Sequence, residues 1–236
     1  MPLQAPKSIL NTAITGARRF AADSWPMERI RAVGKATDTT LNDVVLAMCA
    51  GALRTYLLEL GELPDAPLIA MTPVSLRRDQ SDGGNAVGSI LCNLATDVED
   101  PADRLSAIHQ SMQIGKETLA GLNQLQATAL SALMMAPVTA TLSSGTASSL
   151  LPPAYNLVIS NVPGPQVPLY LRGAKLEGLY PLSIPTNGQA LNITLTSYNG
   201  CIEFGLIGCR RQVPHLQRLL THLEDSLAGL EKAVGV

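Results

Sequence analysis

Imidazole is the side chain best suited to move protons near neutral pH, and this chain of 236 residues has three: His109, His215 and His222. None stands beside another histidine, a cysteine or a carboxylate at the spacing a metal site needs. A Ser-His-Asp set is assembled in space, so spacing alone does not exclude one. The plainer reading puts His109 on an amphipathic helix and His222, next to Glu224 and Asp225, on a solvated helix face. Four cysteines, Cys49, Cys92, Cys201 and Cys209, include no C-x-x-C pair. They read as reduced thiols packed like small hydrophobes, which points to a cytoplasmic protein with no metal centre. Gly83–Gly88 does not match G-x-G-x-x-G and leads into no helix, and no P-loop is present.

Three segments carry more specification than a scaffold needs. The first is Asn42–Asp43 inside TLNDVVLA, at a helix start, where free amides and the dipole favour an anion or a carbonyl oxygen. Thr40 suits the cap position and Asp43 lies three residues on, a short form of the capping box. Capping therefore employs Asp43 and leaves the amide of Asn42 to orient an active-site face. The second is MTPVSLR, Met71–Arg77, in which a buried strand ends on Pro73 and Ser75 and presents Arg77 and Arg78 to a phosphate. The third is SNVPGP, Ser160–Pro165, a stiff loop after a buried strand that could shape a pocket mouth through Asn161, Pro163 and Gly164. Each has a structural alternative: a cap, a strand-end turn, and a rigid turn.

The elements that must hold these segments follow from periodicity. Pro26 opens a helix toward Lys35. Asp43–Leu60, nearly apolar all round, is a buried helix stopped at Gly61. Leu68–Val74 and Val87–Ala95 are strands, and Asp100–Pro101 caps and opens the next helix. A helical stretch toward Leu151 is broken at Gly121, at Pro137 and in Ser143–Ser149. Strand candidates follow at NLVISNV, Leu169–Leu171, Lys175–Tyr180 and Leu191–Tyr198. Asn199–Gly200 signals a type I′ hairpin into CIEFGLIG. Pro214 opens a last helix striped with Leu216, Leu219, Leu220, Leu223, Leu227 and Leu230. The order is that of an α/β chain with a mixed sheet flanked by helices. Residues 1–24 read as a linker and 25–236 as the domain.

Composition narrows function further. Seventeen basic against nineteen acidic residues leave a net charge of −2, and aromatics are 3%. No basic excess exists to displace phosphate counterions and few rings exist to stack on bases, which excludes a nucleic-acid partner. Charged residues are 15%, against about 25% in a typical domain. So low a fraction leads us to expect a covered surface: a partner half, a homo-oligomer, or peripheral contact with a membrane or lipid inclusion. No uninterrupted apolar run reaches the ~18 residues of a membrane span.

In order, QAPKSILN, RRFAADSWPMERI, TLNDVVLAMCAGALR, LIAMTPVSLR, NLVISNVPGP, ALNITLTSYNG and FGLIGCR resemble the C-terminal half of the bacterial wax ester synthase/diacylglycerol acyltransferase family, with wording most like its proteobacterial members. The resemblance implies one half of a two-domain, chloramphenicol acetyltransferase-like fold, in which CoA-dependent acyl transfer occurs in a tunnel between domains. It implies acyl-CoA as substrate, with no tightly bound cofactor, and diacylglycerol or a long-chain alcohol as acceptor. Asn42 and Asp43 stand at the family's ND motif. Asn161, Pro163 and Gly164 stand at its second motif, and Pro73, Ser75 and Arg77 fall along the implied substrate channel. The family's general base lies in an HHxxxDG element of the N-terminal half, and this chain has no adjacent histidines. The resemblance thus implies a supporting, base-less half that needs its N-terminal partner in cis or in trans. Two other readings stand beside it: a non-catalytic lipid or acyl-CoA binding module, and a condensation-type domain of the same fold.

Overall fold

The computed structural model describes residues 5–75, 87–122, 126, 129 and 153–236. Its centre is a mixed six-stranded sheet in the order β1-β8-β7-β4-β2-β3. The strands are β1 (Arg18–Pro26), β2 (Ile69–Ser75), β3 (Val87–Asn93), β4 (Leu157–Val162), β7 (Leu191–Tyr198) and β8 (Cys201–Cys209). Two short strands, β5 (Tyr170–Leu171) and β6 (Ala174–Lys175), form a separate ribbon.

The β7–β8 hairpin forms where the sequence signals it. Asn199 and Gly200 take φ values of 44° and 87°, the left-handed pair that a type I′ turn requires. β4 runs parallel to both β7 and β2, but pairs with β2 only at Ala70↔Leu157 and Met71↔Val158. Beyond those residues the ladder ends, and Pro73 could not have donated to it. β1 was not expected. It starts inside the segment read as a linker, and all nine of its residues pair antiparallel with β8. RRFAADSWP lacks clean alternation; the free edge of β8 makes it a strand.

Four α-helices lie in one layer on one face of this sheet: α1 (Met27–Thr37), α2 (Leu41–Leu60), α3 (Pro101–Ala120) and α4 (Arg218–Val234). By length and composition α2 could cross a membrane. Here it is the centre of the layer, with every residue from Asp43 to Leu53 buried. It ends on Gly61 in the left-handed conformation, which glycine adopts without strain. α3 begins at Asp100–Pro101 as expected and runs through Gly115, where a Cβ would come within 2.4 Å of Ile90. Glycine lets this helix close on β3. Pro137 and Ser143–Ser149 fall outside the described residues.

Two boundaries and one environment depart from expectation. The last helix starts at Arg218, because Pro214 begins a run of turns first. Of Lys175–Tyr180 only Lys175 is paired. His222 is buried at 7% exposure, with Nε2 3.2 Å from Glu59 Oε2 on α2. It belongs to the α2–α4 seam, not to a solvated face. The leucine stripe of α4 seals the same seam with Leu219, Leu223, Leu227 and Leu230.

Candidate functional site

The mouth of α2 is the best-built polar feature on the helix side. Thr40 Oγ1 accepts from the Asp43 N–H at 3.2 Å, and Asp43 Oδ2 accepts from the Thr40 N–H at 3.0 Å, completing a capping box. The same Oδ2 lies 2.8 Å from His109 Nδ1 on α3. A carboxylate can only accept, so Nδ1 carries the proton. His109 Nε2 is 2.8 Å from Gln113 Nε2, and in the neutral ring it accepts from that amide. Asp43 is fully buried, and its other oxygen, Oδ1, has no partner among the described residues.

Asn42 sits one residue earlier, half-buried, and its amide makes no hydrogen bond among the described residues. Capping therefore falls to Thr40 and Asp43, as the spacing suggested. His109 was missed: it stands 66 positions from Asp43, and no local pattern joins them.

β2 contributes Thr72, 2% exposed with an unpartnered Oγ1, then the half-buried Pro73. Thr72 carried no signal, being one more β-branched residue in a strand. Ser75 is the last residue of β2. Arg77 and Arg78 lie outside the described residues.

The SNVPGP loop is pinned at the far end of β7. The Gly164 N–H donates to Ser197 Oγ at 3.1 Å, and the Asn199 N–H donates to the Pro165 carbonyl at 3.1 Å. A Cβ on Gly164 would lie 2.3 Å from the Ser197 carbonyl oxygen, so close an approach admits glycine alone. Asn161 is half-buried and Pro163 exposed. The second and third segments follow strands that are neighbours in the sheet, but the β2–β4 pairing ends at Met71↔Val158, before Pro73 and Asn161. Among the described residues no hydrogen bond or ion pair joins Asn42 to either.

The opposite face of the sheet carries a row of polar residues among apolar ones. Residues alternate along a strand, so Ser24, Glu203, Asn192, Thr194, Thr196 and Ser160 share the side away from the helices. Glu203 is 2% exposed. Burial holds its carboxyl above the usual range, against the hydrogen bond donated by Ser24 Oγ. Among the described residues no cluster could hold a metal. Cys49 and Cys92 are raised to about 12 by burial, which removes their nucleophilicity. Cys209 differs. Burial raises it, but hydrogen bonds from Thr15 and from the Gln212 and Arg211 amides prevail and bring it to about 7.

The chain matches two family models: the WS/DGAT C-terminal domain over residues 83–231, and the wax ester synthase/diacylglycerol acyltransferase catalytic domain over residues 1–45. It is 58% identical over its whole length to a Mycobacterium tuberculosis protein named as a probable diacylglycerol O-acyltransferase, of which it covers 52%. It is 48% identical over 98% of its length to the O-acyltransferase WSD of Acinetobacter baylyi, covering 50% of that protein. The mycobacterial relative is thus more similar than this proteobacterial one, contrary to the wording of the motifs. Among solved structures, the wax ester synthase/diacylglycerol acyltransferase of Marinobacter aquaeolei superposes with a TM-score of 0.88 at 50% identity, over 98% of this chain and 53% of that one. A condensation domain of the enacyloxin polyketide synthase shares the fold at 16% identity and a TM-score of 0.57. The chain spans about half the length of the curated relatives it matches. It belongs to the wax ester synthase/diacylglycerol acyltransferase family, carrying the C-terminal domain and the end of the catalytic domain.

Proposed function

We propose that this chain is the supporting half of an O-acyltransferase that moves a fatty acyl group from acyl-CoA to diacylglycerol or a long-chain alcohol. In that reaction the acceptor oxygen attacks the thioester carbonyl, a C–O bond forms and the C–S bond breaks. The hydroxyl proton passes to a general base and then to the CoA thiolate. Two of the three histidines are spent on structure. His109 is held by Asp43 and Gln113, and His222 is buried against Glu59. The base therefore comes from the catalytic half, supplied in cis or in trans, and this domain shapes the acyl and acceptor channel.

The observation that carries this reading at the site is the division of labour at α2. Asp43 is consumed by the cap and His109, while the amide of Asn42 has no partner among the described residues. Asn42 then bonds the acyl carbonyl region or the catalytic-loop backbone, and Pro73, Ser75, Arg77, Asn161, Pro163 and Gly164 border the channel. Acyl-CoA is a substrate here and no cofactor is held. The reading places the protein in the cytoplasm, at the periphery of membranes or lipid inclusions.

Palmitoyl-CoA and hexadecanol test it. The 236-residue chain alone forms no ester. A chimera in which the chain replaces the matching half of the Marinobacter relative does. In the chimera Asn42→Ala lowers turnover by about tenfold or more, the scale of a lost transition-state donor, with an unchanged melting temperature. Ester formation by the lone chain, or an active Asn42→Ala chimera, would falsify the assignment. The absence of adjacent histidines favours one rival, a non-catalytic acyl-CoA or lipid binding module; an inactive chimera that still binds acyl-CoA would establish it.

A further inference from the structure

The bond between Asp43 and His109 is more than the cap of α2 requires. Thr40 and Asp43 already close the capping box between themselves. The His109 Nδ1–H then adds a second bond to the same carboxylate oxygen, Oδ2, while the buried Oδ1 has no partner among the described residues. A donor whose only task was stability would serve the bare oxygen, since an unmet buried acceptor is the costly one. Two bonds on one oxygen instead fix the carboxylate in a single orientation.

His109 is itself held. Gln113 Nε2 lies 2.8 Å from His109 Nε2 and donates to it, which keeps the ring proton on Nδ1, facing Asp43. Both ring nitrogens are thus engaged. At this level α3 is registered against the sheet: Ser111 Oγ accepts from the Asn93 N–H at 2.9 Å, and a Cβ on Gly115 would come within 2.4 Å of Ile90. The row Gln113–His109–Asp43–Thr40 therefore ties the first turn of α2 to a helix fixed on β3. Asn42 lies in that turn, one residue before Asp43. Among the described residues no hydrogen bond orients its side chain, so its aim depends on where the turn is held.

We propose that His109 is a positioning residue: through Asp43 it sets where the amide of Asn42 points, and so the turnover of acyl transfer, without touching substrate. This rests on the functional reading above, in which Asn42 meets the acyl carbonyl region or the catalytic-loop backbone. A displacement of about 1 Å at such a group costs up to about 100-fold in rate.

A double-mutant cycle in the Marinobacter chimera tests it, with palmitoyl-CoA and hexadecanol, well below the melting temperature. His109→Ala should lower kcat about tenfold or more and leave both KM values within about twofold, since a group used in the transition state is misplaced while the binding surfaces remain. His109→Asn, whose Nδ2 takes the place of Nδ1, should restore most of the turnover. Added to Asn42→Ala, His109→Ala should cost little further, because the group it positions is gone. Melting temperature does not discriminate, as any lost donor to a buried carboxylate lowers it. Losses that multiply, a His109→Ala chimera with parental turnover, or a defect that asparagine fails to rescue overturns the proposal. Should His109→Ala fail to fold, Gln113→Ala at an exposed position carries the same cycle, because it frees the ring proton to move to Nε2, away from Asp43. A second readout is independent of catalysis. In proton–nitrogen correlation spectra of the 236-residue chain, the Asn42 side-chain amide pair should shift and broaden in His109→Ala and return in His109→Asn; an unmoved pair overturns the proposal. A chimera that forms no ester, beside Asn42 signals that respond, sinks the functional reading and leaves the positioning standing.

Discussion

The two faces of the sheet are built from alternate residues of the same strands, yet they are filled by opposite chemistry. Toward the helices stand Leu157, Ile159, Ile193, Leu195, Ile202, Phe204 and Leu206, all buried in one cluster with α2 and α4. Trp25 meets Phe204 edge to face with ring centroids 4.8 Å apart, the favoured geometry of an aromatic pair. Away from the helices stand Ser24, Ser160, Asn192, Thr194, Thr196 and Glu203, of which Asn192, Thr196 and Glu203 are buried. A dry face secures a domain by itself. The contrast shows that one strand can turn an apolar row to the helices and a polar row away from them.

The largest expected effect lies on the dry side. Phe204→Ala removes a fully buried ring and its partner for Trp25. It should cost about 3–5 kcal/mol, read as a lower urea midpoint at unchanged slope. A loss under about 1 kcal/mol would mean that this face is not the stabilising one.

Asp43 is the exception within that side, a closed polar network on the helix layer. Asp43→Ala removes the cap and leaves His109 without its acceptor. The expected cost is about 2–3 kcal/mol, a cap of ~0.5–2 kcal/mol plus a buried hydrogen bond. Urea titration of Asp43→Ala beside Asn42→Ala sharpens the point, since Asn42 makes no bond to lose. Equal losses at both positions would erase the distinction between scaffold and site.

The smallest effect is on the polar side and depends on pH. Burial raises the Glu203 carboxyl above its ordinary value. A carboxyl raised in the fold is neutral in both states at low pH and adds no penalty there. Its cost appears as pH rises from the ordinary value of about 4.3 through the raised folded value, and is complete above it. Glu203→Gln, which keeps an acceptor for Ser24, should therefore melt with the parent near pH 4 and above it at pH 8, by under about 1 kcal/mol. A variant less stable at pH 8 would show that the ionised carboxylate is fully compensated by Ser24 and its neighbours.

Much of the scaffold was legible in the sequence for local reasons. Asn199–Gly200 supplies two positive φ angles at no great strain, so the hairpin is written in two residues. Thr40 and Asp43 close a cap within one turn, so the start of α2 and the role of Asp43 could be read from spacing alone. The alternation of LNITLTSY names both faces of β7 at once. Gly164 is a different case: a Cβ there would meet the Ser197 carbonyl, 33 residues further along the chain.

Where partners are distant, the sequence was silent. Arg18–Pro26 has no strand pattern and becomes one because β8 offers an unpaired edge. His222 sits beside acidic neighbours, yet packing turns it inward to Glu59, 163 positions earlier. His109 and Asp43 share a hydrogen bond because α2 and α3 lie side by side. Sequence by itself determined what depends on neighbours within a turn or a strand: caps, hairpin, periodicity and the motifs of the family. Tertiary structure decided which edge recruits β1, which histidines are spent on structure, and which polar side chains of the sheet are buried. A side chain's protonation, burial and partners are set by groups that only folding brings within a few ångströms.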